Sequence, residues 1–148
     1  MEMNKFKIFM LLSLLLLLLF GCKKELDFEA DIYYHVKEFL LSKNCQTKCN
    51  IPAVAEGKTI KLQGFIDDFH VMEDLNNFQL FDKNNDNYSI SVSVDSLISA
   101  AVFNKIRNSK TKNARIKGVV HGFDKPTNFT CERGFSIELK YESDFTIE

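Results

Sequence analysis

Four consecutive residues, Asp67-Asp68-Phe69-His70, bring two carboxylates and an imidazole into one short stretch. Such a set can relay a proton or hold a divalent metal, and a metal-dependent hydrolase built on this chain would use Asp67, Asp68 and His70. Three cysteines, Cys45, Cys49 and Cys131, are a second source of chemistry. With His70 or His121 as a fourth ligand they could bind zinc, but the C-x-x-C spacing of zinc knuckles is absent. No thioredoxin-like pattern surrounds them either. A disulfide is the better expectation, and spacing leaves Cys45–Cys49, Cys45–Cys131 and Cys49–Cys131 all open. Asp82-Lys83-Asn84-Asn85-Asp86-Asn87 has oxygen ligands at alternating positions, like the start of a calcium loop. An EF-hand needs Gly at its sixth position and Glu at its twelfth; here those are Asn87 and Ser93, so a hairpin turn is expected. No Ser–His–Asp, P-loop, GxGxxG or HExxH pattern occurs, so neither an enzyme nor a bound cofactor or metal is expected.

Elements must position these groups. Phe28, Ile32, Val36, Phe39 and Leu40 recur at helical spacing, which predicts a helix over 28–42 with Asp27 as its cap. Residues 43–57 read as a loop. From Lys58 the period becomes two. Ile60, Leu62, Gly64 and Ile66 alternate with Thr59, Lys61, Gln63 and Phe65, the pattern of a half-buried strand with a bulge expected at Gly64. Residues 77–82 and 88–94 predict a hairpin around the Asn/Asp turn. Residues 95–107, with Leu97, Ile98, Ala101, Val102 and Ile106, predict a second helix. Ala114–Gly122 and Phe135–Tyr141 predict two more strands around a loop at 124–133, and Phe145–Ile147 a short edge.

Helix, three strands, helix, two strands is the order of the five-stranded Greek-key barrel known as the OB-fold. Gly57-Lys58-Thr59-Ile60-Lys61-Leu62-Gln63-Gly64 and Ala114-Arg115-Ile116-Lys117-Gly118-Val119-Val120 carry the likeness, each ending a hydrophobic alternation near a Gly. On these residues the chain resembles the tRNA-anticodon-like and bacterial envelope OB-fold families. The implied fold is mainly β with two helices: a five-stranded OB-like barrel preceded by an N-terminal helix. On such a barrel Phe65 and Phe81 could stack on a ligand, and Lys61, Arg115 and Lys117 could form a basic stripe. Ser89, Ser91 and Ser93 supply no further stacking platform, so nucleic acid is not an expected partner.

The first 22 residues concern location. Lys5 and Lys7 precede an apolar run from Ile8 to Phe20, broken only by Ser13, and then come Gly21 and Cys22. The run covers 13 positions, short of the roughly 20 needed to span a bilayer. This anatomy is that of a signal peptide, and a Cys after a small residue resembles the bacterial lipoprotein signal, or lipobox. The resemblance implies cleavage before Cys22, a diacylglycerol on its sulfur and a further acyl chain, such as palmitate, on its amine. Several chains anchor a protein stably where one binds only marginally. The implied location is the cell envelope, with the outer membrane favoured because Lys23 follows the Cys. The expected organisation is a signal peptide at 1–21, a lipidated tether at 22–27, an N-terminal helix and Cys-containing loop at 28–56, and the OB-like β-barrel domain at 57–148.

Cleavage would leave 127 of the 148 residues, enough for one domain. Losing Glu2, Lys5 and Lys7 from 20 acidic and 19 basic side chains leaves a net charge of −2. That balance supplies no bulk attraction to nucleic acid. The expected partners are the membrane, through the anchor at Cys22, and an envelope protein, peptide or small ligand.

Overall fold

A computed structural model describes residues 23–126 and 130–147. The signal-like segment 1–21 and the proposed lipidation site Cys22 lie outside the described residues. The chain is mainly β. Strand β1 (Tyr34–His35) leads directly into helix α1 (Val36–Leu40). Strands β2 (Thr59–Met72), β3 (Asn77–Asp82) and β4 (Asn85–Val94) follow, then helix α2 (Ser99–Asn108). Strands β5 (Asn113–Pro126), β6 (Cys131–Leu139) and β7 (Phe145–Ile147) complete the described fold.

All seven strands belong to one mixed sheet. Strand β2 pairs antiparallel with both β3 and β5, β3 with β4, and β5 with β6, while β4 and β6 run parallel. The pairings therefore return to β2, and the arrangement is partly ring-like. The five-strand expectation is corrected to seven. Tyr34 and His35 add to β2, and Phe145–Ile147 to β5.

The core follows the alternation. Ile60, Leu62 and Ile66 of β2 face inward with Phe78, Leu80, Ile90, Val92, Ile116, Val120 and Ile137. Helix α2 closes one side with Val102, Phe103 and Ile106, and α1 contributes Val36 and Phe39. Leu97, expected on the buried face of the second helix, is 93% exposed because α2 starts only at Ser99. Ahead of it, the Asp95 carboxylate accepts the amide of Leu97 at 2.8 Å, a local turn that competes with helix.

The first helix is also shorter than its periodicity suggests. Asp27 does not cap it. Its carboxylate accepts the amide of Glu29 at 2.9 Å, while its carbonyl accepts the Tyr34 hydroxyl at 3.0 Å. Tyr34 is drawn into register with Leu62, so the chain runs extended until Val36. Long-range pairing thus overrides helical spacing.

The expected loop at 124–133 is instead mostly hairpin, for β5 continues to Pro126 and β6 begins at Cys131. Asp67–His70, expected after the first strand, lie within β2. The register slips between Ile66, opposite Leu80, and Val71, opposite Phe78. Four residues there face one, so the bulge sits beyond Gly64. Gly64 instead lets two strands approach closely, since a Cβ there would overlap the carbonyl oxygen of Phe81.

Candidate functional site

The bulge shapes one wall of a groove. Asp67 Oδ1 accepts the amide of Phe69 at 3.1 Å, and Asp67 Oδ2 lies 3.0 Å from His70 Nδ1. These bonds fold the four residues back on themselves. Asp68 leaves in another direction and pairs with Lys112 at 2.9 Å. Lys112 also donates to the Ile106 carbonyl at 2.7 Å, tying the bulge to the C-terminal turn of α2. Phe69 is left 95% exposed at the tip. His70 lies edge-on to Phe81, with ring centroids 5.0 Å apart.

Phe81 is the centre of this wall. Phe65 and Phe81 are cross-strand partners, and their rings stack at 5.4 Å with 26° between planes. The sequence placed both as stacking residues, and the structure brings them together. The groove itself measures about 410 Å³ and is lined by His70, Gln79, Phe81, Ser89 and Ser91, with Phe123, Lys125 and Phe135 opposite. Gln79 faces Ser91, and Phe81 faces Ser89, across the β3–β4 ladder. The Lys125 ammonium stands 5.8 Å from the centre of the Phe123 ring. The result is a concavity of apolar rings edged by hydroxyl, amide, imidazole and ammonium groups, the usual composition of a ligand site.

Phe123 and Lys125 of the far wall were missed in the sequence because the strand was ended at Gly122 and Asp124 to Arg133 reads as a loop. The signal that could have found them was the outward alternation of Val119 and His121, which continues unbroken through Phe123 to Lys125.

The expected basic stripe is elsewhere. Lys61 and Lys117 face each other on the β2–β5 ladder, with Arg115 opposite Gln63. Lys61 pairs with Asp31, and Lys117 lies 3.9 Å from Asp144. The Lys61 ammonium holds the Asp31 carboxyl below its ordinary range. Arg115 stacks over the Tyr33 ring at 5.5 Å. None of these three cations lines the groove.

The cysteines also resolve. Cys49 and Cys131 are disulfide-bonded, with Cα atoms 5.8 Å apart. Cys45 is a buried thiol whose pKa burial pushes up to about 11. Beside the disulfide, Arg133 binds Glu56 and Asp124. Hydrogen bonds from its guanidinium hold both carboxyls below the ordinary carboxylate range. Among the described residues the one group of metal-ligating atoms within reach of a common ion is Cys49, Asp124 and Cys131, and its two sulfurs are bonded to each other. His121 is paired with Glu138 at 3.0 Å.

No protein-family model and no curated protein matches this chain.

Proposed function

We propose that this chain is a lipid-anchored protein of the bacterial cell envelope, without catalytic activity, that binds a small ligand, peptide or protein partner in the groove beside Phe81. The observation that carries the binding reading is the groove: three phenylalanine rings and several polar groups converge on about 410 Å³. The partly ring-like pairing, with α2 between β4 and β5, supports describing the domain as an OB-like barrel. Fold alone confers no function, so the lining residues carry the reading.

The Cys49–Cys131 bond supports an exported location, since such bonds persist in oxidising compartments. In this reading export uses the signal-like segment 1–21 and anchoring uses Cys22. In this reading the signal is removed and Cys22 carries the diacylglycerol and acyl chains.

Other uses receive less support. Lys61 and Lys117 are matched by Asp31 and Asp144, which weakens an anionic-polymer surface. Asp67 and His70 bond to each other while Asp68 turns to Lys112, so the three do not converge on one substrate atom.

Two experiments test the proposal. Mass spectrometry of protein isolated from membranes should find an N-terminal Cys22 with added acyl mass; residues 1–21 still attached, or Cys22 bare, would refute anchoring. A photo-crosslinking residue placed at Ser89 should capture a discrete adduct in intact cells that the same residue at Leu97 does not. Identical products from both positions would remove the groove as a binding site.

A further inference from the structure

Asn44 ties residues 24–26 to the body of the domain. Its side-chain oxygen accepts the amide of Leu26 at 2.8 Å, and its backbone carbonyl accepts the amide of Ala55 at 3.0 Å. Leu26 is buried. Two residues earlier, the Lys24 carbonyl accepts the amide of Lys43 at 3.0 Å, and the Lys24 ammonium pairs with Glu38. Lys24 is therefore already part of the fold. Cys22 stands two residues before it, so their Cα atoms are within about 8 Å of each other. A lipid on Cys22 would have no long linker behind it, and the surface around Lys24 and Lys43 would be held at the headgroups.

The composition of that surface suits the place. Leu41, Ile51 and Val54 are exposed, as are Lys23, Lys43 and Lys48. Local bonds hold the segment in shape. Gln46 Nε2 donates to the Leu41 carbonyl at 3.4 Å, Thr47 Oγ1 donates to the Ile51 carbonyl at 3.0 Å, and Cys49 is bonded to Cys131. No acid occurs from Phe39 to Ala55, and the acids at either end, Glu38 and Glu56, are bound by Lys24 and Arg133. Residues 23–26 and 39–55 together hold Lys23, Lys24, Lys43 and Lys48 against Glu25 alone. Apolar side chains set among lysines are what settles into the boundary between headgroups and acyl chains, and the excess of positive charge favours anionic lipid.

We propose that the face carrying Leu41, Lys43, Lys48, Ile51 and Val54 rests on a bilayer that contains anionic lipid. The inference rests on the reading of Cys22 as the lipid-bearing residue and adds an orientation to it. Helix α1, which leads into Leu41, is fixed to the β3–β4 turn by the bond from the Lys37 amide to Asp82 at 2.8 Å. Strand β4 runs ten residues away from that turn, at about 3.3 Å each. Leu97, beyond its far end, stands roughly 30 Å from the membrane-facing end and serves as the reference position.

The chain has no Trp, so a single introduced one reports its own surroundings. Protein extracted from membranes with its lipid is reconstituted into vesicles of phosphatidylglycerol and phosphatidylcholine, the latter brominated on its acyl chains to quench nearby indoles. Val54→Trp should lose emission and shift to the blue, and Leu97→Trp should do neither. Ile51→Trp, also at an exposed position, is the second probe should Val54→Trp fold poorly. Lys43→Glu combined with Lys48→Glu should restore most of the emission; quenching unchanged by that pair overturns the preference for anionic lipid. Mass spectrometry of the same sample separates this inference from the one beneath it. Cys22 without lipid overturns the anchor and the face together, whereas acylated protein in which Val54→Trp and Leu97→Trp respond alike overturns the face alone. A blue shift without quenching places a second copy of the chain, not lipid, over Val54 and likewise overturns the face.

Discussion

The guanidinium of Arg133 donates two parallel hydrogen bonds to the carboxylate of Glu56, Nε to Oε1 at 2.9 Å and a terminal nitrogen to Oε2 at 2.6 Å. Its other terminal nitrogen donates to Asp124 Oδ1 at 2.7 Å. Glu56 also accepts the Ala53 amide, and Asp124 the Asn50 amide. The cluster and the adjacent disulfide fasten the segment around 49–57 to the β5–β6 hairpin. Gly122 makes space for it, since a Cβ there would fall on the Glu56 carboxylate.

This clamp sets the acid limit of stability. Both carboxyls are held below their ordinary values, mainly by hydrogen bonds from Arg133. Their contribution is therefore fully present above the ordinary carboxylate pKa of about 4 and is lost as pH falls through their lower folded values. Urea midpoints across pH should be flat near neutrality and fall in acid, with Arg133→Met less stable at neutral pH and less acid-sensitive. Parallel acid limbs in the two proteins would refute the assignment. Arg133→Lys should rescue little, because one ammonium cannot form the paired bonds.

The disulfide links residues 82 positions apart. Reduction, or Cys131→Ser, should lower unfolding free energy by about 2–4 kcal/mol. Denaturant unfolding with and without reductant measures this. An unchanged midpoint would mean that the bond does not form in the protein.

Cys45 should resist alkylation in the native state, since burial raises its thiol to about 11 and removes access. In denaturant without reductant, one reactive thiol is expected if the Cys22 sulfur carries the diacylglycerol, and two if it is bare. Titration with a thiol reagent distinguishes the two.

Two phenylalanines should differ sharply. Phe78 is fully buried and meets Phe145 edge-on at 5.9 Å, whereas Phe69 is almost wholly exposed. Phe78→Ala should cost about 3–5 kcal/mol. Phe69→Ala should stay within about 0.5 kcal/mol. Thermal or chemical denaturation reads both, and equal losses would contradict the packing.

Single-stranded oligonucleotide should bind weakly even at about 50 mM salt, where phosphate contacts are strongest. Fluorescence anisotropy measures this. Tight binding with a steep salt slope, reduced in Lys61→Gln and Lys117→Gln, would restore the nucleic-acid reading.

The sheet was largely legible in the chain. Inward Ile60, Leu62, Ile90, Val92, Ile116 and Ile137 each stand at alternate positions beside polar neighbours, and period two is a local property. The hairpin at 83–87 was equally local, a matter of turn chemistry. Helix ends were less so. Tyr34 pairing with Leu62, and Asp27 and Asp95 bonding to nearby amides, shortened segments whose apolar spacing continued further.

The candidate site divides the same way. Phe65 and Phe81 stood out by type and outward position, but the bulge that lays His70 across Phe81 depends on how β2 meets β3. Phe123 and Lys125 entered the groove only because β5 runs on past Gly122 into the expected loop, where they join Phe135 of the next strand.

By itself the chain determined its alternating strands, its turn chemistry and its net charge, because each follows from neighbours in sequence. Only the tertiary structure decided that Cys49 bonds Cys131 while Cys45 is buried, that Arg133 joins Glu56 to Asp124, and that Lys61 and Lys117 meet acids. Those choices depend on distances between residues far apart in the chain, which ladder register and core packing set and no local pattern encodes.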